Sequence, residues 1–205
     1  MSIRIHWVGH ASFLVSTGTT SVAIDPWKMP PNTGPVSLIL ISHSHFDHYS
    51  AEDVAALSDP KTVVLGPADI PGAVVLAPGA TRTVGDVAAT GVPAYNMGKD
   101  FHPSANGWLG FVLELGGKRV YYAGDTDRIP EMRQLEAIDV ALLPAGGTYT
   151  MDAAEAARAA ADIGCGLAVP YHWGDIVGAP ADAERFQELC SGHARTLQPG
   201  EFLEL

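Results

Sequence analysis

Cysteine is scarce in this chain, with Cys165 and Cys190 the only two in 205 residues and no C-x-x-C pair. That excludes a disulfide framework and leaves both thiols as expected packing residues. Positive charge is also sparse: 12 Lys and Arg stand against 23 Asp and Glu, for a net charge of −11. Such a surface repels phosphate backbones and anionic lipid heads, so neither nucleic acid nor a membrane is an expected partner. No run of about 18 apolar residues exists to span a bilayer, and Met1–Arg4 opens without the charged-then-apolar pattern of a secretory signal. The expected location is therefore cytoplasmic, with a small-molecule substrate and an oligomeric state that composition leaves open. Hydrophobic residues make up 47% of the chain, enough to bury one core, and a single domain over 1–205 is expected. Carboxylates that ligate cations count in the −11, so a metal site would return positive charge locally and leave a small anionic substrate admissible.

Short apolar segments at Ile3–Val8, Phe13–Ser16 and Ser21–Asp25, split by Gly9 and a Thr/Gly-rich turn, predict an N-terminal β-meander. Val36–Ile41 is a continuous branched-apolar run, the pattern of a strand buried on both faces. A helix is expected from Ala51 to Leu57 with Ser50 as N-cap. Shorter strands are expected at Thr62–Leu65, Val74–Leu76, Thr81–Val84 and Val87–Thr90. The stretch Gly91–Gly107 has no clear period and predicts a long functional loop. Trp108–Leu115 and Arg119–Ala123 around Gly116-Gly117 predict a hairpin, followed by a short helix over Pro130–Glu136 and a buried strand over Val140–Leu143. Asp152 and Glu155 predict a capping box for an alanine-rich helix that Gly164 ends. A strand over Leu167–Tyr171, a helix over Ala183–Cys190 and an edge strand over Phe202–Leu205 complete the pattern. Strands early and strand–helix alternation later suggest packed sheets with helices outside, or else a doubly wound sheet.

His43-Ser44-His45-Phe46-Asp47-His48 puts three imidazoles and a carboxylate in six residues, where a buried strand gives way to loop. Imidazole nitrogen with carboxylate oxygen suits zinc, manganese or iron, and a turn lets alternate side chains face two neighbouring cations. Asp125 and His172 each fall just past an apolar strand, as His43 does, and strand ends on one rim converge on a crevice.

The H-x-H-x-D-H segment resembles the signature of the metallo-β-lactamase superfamily. Gly9-His10-Ala11-Ser12-Phe13, Ile24-Asp25-Pro26, Ala123-Gly124-Asp125-Thr126, Gly146–Met151 and Pro170-Tyr171-His172-Trp173 are similar to the branch containing ascorbate-6-phosphate lactonase and related uncharacterised hydrolases. The resemblance implies an α/β fold, a four-layer αββα sandwich with the site at the edge where the sheets meet. It implies two divalent metal ions, zinc or alternatively manganese or iron. His43 and His45 would hold the first, Asp47 and His48 the second, with Asp125 bridging and His172 completing the second site. The family also supplies a histidine between signature and bridging aspartate, and His102 is the only histidine in that interval. It is the expected ligand, with Asn96 or water as the substitute.

His10 and Asp25 are expected behind the ligands or against substrate, His10 in a Gly-His-Ala turn and Asp25 as acceptor from a ligand imidazole. Lys28, Lys99 and Arg128 are the cations that could meet a substrate anion. Two bridged cations would bring a shared water to hydroxide near neutral pH, with Asp47 or Asp125 as catalytic proton acceptor. The expected activity is hydrolysis of a small ester, lactone or phosphodiester. A non-catalytic metal-binding module and a di-iron oxidoreductase are the alternatives.

Overall fold

The computed structural model describes residues 2–205. Its first sheet starts with the expected meander: β1 (Arg4–Gly9), β2 (Ser12–Ser16) and β3 (Ser21–Ile24) pair antiparallel in sequence order. Then β4 (Leu38–Leu40), whose three residues are all buried, joins β3 in parallel. The short helix α1 (Ala51–Ala56) follows, with the Ser50 side chain accepting from the Asp53 N–H as predicted. Strands β5 (Val63–Gly66) and β6 (Val74–Val75) extend the sheet in parallel.

The second sheet is built from β7 (Thr81–Val84), β8 (Val87–Pro93), β9 (Leu109–Leu115), β10 (Lys118–Tyr122), β11 (Val140–Pro144) and β12 (Leu167–Tyr171). Two helices lie among them, α2 (Ala153–Ile163) before β12 and α3 (Pro180–Leu189) after it. The last strand, β13 (Phe202–Glu204), returns to the first sheet beside β1. Among the described residues the strand orders are β13-β1-β2-β3-β4-β5-β6 and β12-β11-β10-β9-β8-β7.

The inner faces of both sheets share one apolar core, including Ile5, Trp7, Phe13 and Leu40 from one and Phe111, Tyr122, Leu142 and Tyr171 from the other. A second cluster packs α2 and Phe186 of α3 on the outside of the second sheet, and a third covers the outside of the first with Leu57 and Ile70. Four layers result, helix–sheet–sheet–helix, the αββα sandwich rather than the doubly wound sheet. The reason is visible in β4 and β11, which are apolar on both sides because each is covered on both faces.

Four local expectations are corrected. Strand β8 runs to Pro93, so Gly91–Pro93 are strand and the irregular segment begins at Ala94; its pairing with β9 outweighs the weak strand propensity of Gly and Pro. Pro130–Gln134 is a 3-10 turn rather than an α-helix. The Asp152 carboxylate caps α2 by accepting from Glu155 N–H, but Glu155 Oε1 does not return the bond; it accepts from the Arg128 N–H. Helix α3 also starts earlier than expected, at Pro180, because proline suits a helix's first turn.

Both cysteines are free and half-buried. Burial pushes the Cys165 thiol up to about 11, so at pH 8 only ~0.1% is thiolate, the reactive form. A disulfide reagent should modify Cys165 at least ~10-fold more slowly in the native protein than in denaturant. Equal rates would show the thiol to be open to solvent.

Candidate metal centre

The residues singled out from the sequence meet at one end of the sandwich, where strands of both sheets run out. His43 follows β4, Asp25 follows β3, Asp125 follows β10 and His172 follows β12. His10 lies in the β1–β2 turn, and Asn96 and His102 lie in the segment after β8. Non-glycine residues with left-handed backbones gather here: His10, Asp25 and His172 have φ of 46°, 45° and 62°. That conformation costs of order 1–3 kcal/mol per residue, and such strain concentrates at functional sites. Only glycine fits at position 146, since a Cβ there would stand 2.0 Å from the His172 carbonyl oxygen.

Asp125 is the point of convergence. Its Oδ1 lies 3.2 Å from His48 Nε2, and its Oδ2 lies 3.3 Å from His102 Nε2 and 3.2 Å from His172 Nε2. Two clusters flank it: His43, His45 and His102 on one side, and His10, Asp47, His48 and His172 on the other, each with donor atoms within 4.8 Å of one another. His43 Nε2 and His45 Nδ1 face each other at 3.0 Å. Donors in van der Waals range of one another are what bonds of about 2.1 Å to a common cation produce.

The hydrogen bonds behind the rings decide which nitrogens are available. Ser42 Oγ donates to Asp25 Oδ2 at 2.5 Å, so His43 Nδ1–H donates to Ser42 Oγ at 2.8 Å. His48 Nδ1–H donates to Asp25 Oδ2 at 2.7 Å, and His102 Nδ1–H donates to Asn96 Oδ1 at 3.1 Å. These tautomers follow from the network of acceptors. All three rings are left with Nε2 turned toward the cluster, the nitrogen a cation would take. His48 Nε2, His102 Nε2, both nitrogens of His172 and Asp125 Oδ1 are buried without a hydrogen-bond partner. Orphaned buried groups on this scale are costly in a folded protein unless something else binds them, and nitrogen–carboxylate sets are what zinc, manganese and iron take. The residues therefore fit a divalent cation.

The charges agree. Burial pushes the Asp125 carboxyl up, but the neighbouring His172 and His48 more than offset this and hold it well below the usual carboxylate range. Burial also opposes charge on His48, yet Asp125 and Asp25 raise it well above an ordinary imidazole. His43, with burial dominant, is held well below. Burial acts upward on Asp47, and the His10 hydrogen bond and the His48 charge bring it below its ordinary value.

His10 Nε2 lies 3.0 Å from Asp47 Oδ2, and it is also close enough to Asp47, His48 and His172 to rank with the candidate donors. Asp25 is the acceptor behind His48. Asn96 sits behind His102: its Oδ1 also accepts from the His102 N–H at 3.0 Å, while its Nδ2 donates to Asp127 Oδ1 and Tyr149 O, both at 3.0 Å. Asn96→Leu should weaken metal binding about 10- to 100-fold, the usual effect of removing a ligand's hydrogen-bonded support. Competition against a chromogenic chelator measures it, and unchanged affinity would mean that His102 holds its orientation without Asn96.

The cations considered for substrate are already engaged. Lys99 bonds Asp127 and the Thr150 carbonyl, Lys28 lies 2.6 Å from Asp175, and Arg128 lies 2.7 Å from Asp162. Composition did not reveal three further residues at the site: Tyr122, whose OH donates to Asp25 Oδ2 at 2.6 Å; Asp127, which anchors Asn96 and Lys99; and Trp108, whose ring stands about 5 Å from those of His43 and His45. Tyr122 and Trp108 read as ordinary strand aromatics, and only Asp127, two residues past Asp125, carried any sequence hint. A cleft of about 220 Å³ opens over His45, Asp47, His102 and Asp125. A larger cavity of about 540 Å³ beside Trp27 and Trp173 touches the cluster only at His10, so the smaller cleft is the one over the chemistry.

Residues 4–172 match the family model of the beta-lactamase superfamily domain. A UPF0173 metal-dependent hydrolase of Pyrococcus abyssi is 33% identical over 99% of this chain and 100% of its own length. Among solved structures, a candidate metal-dependent hydrolase from Parabacteroides distasonis superposes with a TM-score of 0.87 at 29% identity, covering 96% of this chain and 94% of that one. A metallo hydrolase from Ignicoccus hospitalis shares the fold, with a TM-score of 0.82 at 24% identity over 100% and 99% of the two chains. The chain belongs to the metallo-β-lactamase superfamily, as one of its UPF0173 metal-dependent hydrolases.

Proposed function

We propose that this chain hydrolyses a small ester, lactone or phosphodiester at a binuclear centre. The first cation would be held by His43, His45 and His102, the second by Asp47, His48 and His172, with Asp125 between them. One observation carries the reading: the Nε2 atoms of His48, His102 and His172 all stand 3.2–3.3 Å from the Asp125 carboxylate, with Asp125 Oδ1 and these nitrogens buried and unpartnered. Bound divalent cations would supply Lewis acidity, lowering the pKa of water and polarising the oxygen of the scissile group. Zinc is the favoured ion for so many imidazoles, with manganese or iron as alternatives.

The protein's own groups do the rest. Asp25 and Ser42 fix the tautomers of His48 and His43, and Asn96 fixes that of His102. His10 holds Asp47 Oδ2, and Asp47 lies at the open cleft, placed to accept a proton during hydrolysis. Trp108 shields the first cluster, and no serine or cysteine nucleophile is needed.

The test is metal analysis of protein purified without added metal, followed by turnover assays with the metals found on ester, lactone and phosphodiester panels. About two equivalents of metal and metal-dependent turnover of one panel are expected. Fewer than one equivalent, or a loaded protein inert to all three, would overturn the reading.

A further inference from the structure

The cleft over Asp125 is walled by carbon. Besides His45, Asp47, His102 and Asp125, its lining is Phe46, Phe101, Tyr149 and Ile176. Phe46, Phe101 and Ile176 are 69%, 47% and 50% exposed, although side chains of this kind ordinarily leave water. They are held in place: Phe101 meets the Tyr149 ring edge-on at 4.8 Å, and Phe46 meets Trp27 edge-on at 6.0 Å. Ile176 has φ 64°, a conformation that a β-branched residue adopts only where its surroundings impose it. No lysine or arginine lines the cleft among the described residues, and Lys28, Lys99 and Arg128 are each tied to a carboxylate.

We infer that Phe46, Phe101, Tyr149 and Ile176 form an apolar clamp that selects an uncharged substrate with a short apolar acyl group, an ester or lactone rather than a phosphodiester. The inference rests on the hydrolytic reading above and deepens it. Apart from the Tyr149 hydroxyl, whatever flanks the scissile bond meets carbon and no side-chain cation, so an anionic or sugar-like group there would lose more hydration than it regains in partners. A second phosphate oxygen would find no side-chain cation to pair with. The 220 Å³ of space is smaller than the pockets that enclose drug-sized ligands, which restricts the acyl group to a few carbons.

Two measurements on the metal-loaded full chain test this. The first compares p-nitrophenyl acetate, p-nitrophenyl butanoate and bis(p-nitrophenyl) phosphate. Each buried methylene adds about fourfold, so butanoate, with two more than acetate, should exceed it in kcat/KM by roughly fifteenfold, and both should exceed the phosphodiester. Phe101→Ala and Ile176→Ala should each cut the butanoate-to-acetate ratio by about threefold or more, while Phe202→Ala, an exposed aromatic on the far edge strand, leaves the ratio as it was. A preference for the phosphodiester, or a ratio indifferent to Phe101→Ala and Ile176→Ala, overturns the clamp while leaving the hydrolase standing.

The second reads recognition without turnover, by calorimetric titration with acetamide, butanamide and hexanamide. Affinity that climbs from acetamide to butanamide, gains little more at hexanamide and falls in Phe101→Ala supports the clamp, and a flat series overturns it. If none of the three chromogenic substrates turns over, the hydrolytic reading fails, and the amide series still decides whether the cleft recognises apolar chains.

Discussion

Asp125→Asn is expected to lower kcat/KM by at least about a thousandfold, on the scale of losing a principal electrostatic group from an active site. It is also expected to remove most of the stabilisation that metal gives the fold. Both carboxylate oxygens are in use, Oδ1 facing His48 and Oδ2 facing His102 and His172. An amide keeps the shape, but it exchanges one anionic oxygen for N–H donors and cancels the negative charge between the two histidine clusters. A cation present at about a thousand times its dissociation constant adds ~4 kcal/mol to the native state, which for a chain of this size is about 10 °C in Tm. Thermal melts with and without metal should show such a shift in the wild type and less than about a third of it in the variant. The metal-free variant should remain folded, since the surrounding core is apolar and intact. A variant that kept both the full metal-induced shift and its activity would remove Asp125 from the centre and leave the two clusters without a bridge.

Asp25→Leu should damage the fold itself. Asp25 is completely buried and accepts from Ser42 N–H at 2.6 Å, Ser42 Oγ at 2.5 Å, His48 Nδ1 at 2.7 Å and Tyr122 OH at 2.6 Å. Leucine satisfies none of these donors, and an unpaired buried polar group costs about 1–3 kcal/mol. Removing one member of a buried charged pair typically costs about 3–5 kcal/mol. Against a total stability of about 5–15 kcal/mol, the expected loss is ~10 °C or more in Tm for the metal-free protein. Asp25→Asn keeps an acceptor oxygen and should fold, yet His48 loses its anionic partner, and metal affinity should drop about 10- to 100-fold. Urea titration reads the first effect and chelator competition the second. If Asp25→Leu unfolded at the wild-type urea concentration, the four hydrogen bonds would be contributing nothing to stability. If Asp25→Asn bound metal as tightly as wild type, Asp25 would be serving the β3–β4 connection alone.

The two substitutions separate what one dimension of sequence can and cannot reveal. The six residues from His43 to His48 were legible because they are contiguous and chemically unusual, and Asp125 and His172 because each ends an apolar strand. The element pattern was legible for the same kind of reason: β4, β11 and β12 announce themselves as apolar runs, β9 and β10 by the Gly116-Gly117 turn between them, and α2 by its Asp152 cap and Gly164 stop. Propensity misjudged the ends. Gly91–Pro93 became strand because β9 offered a partner, and Glu155 left its own helix cap for the Arg128 backbone.

The sequence by itself determined the chemistry available: imidazoles and carboxylates at strand ends, too few cysteines for a disulfide framework, and enough apolar residues to bury a core. Only the tertiary structure decided the division of labour. It placed Asn96 behind His102 and His10 against Asp47, tied Lys28, Lys99 and Arg128 to carboxylates, and turned Phe46, Phe101 and Ile176 outward over the cleft. The physical reason is that a hydrogen bond or an ion pair depends on distances of about 3 Å between residues tens of positions apart. Those distances exist only once the two sheets have packed.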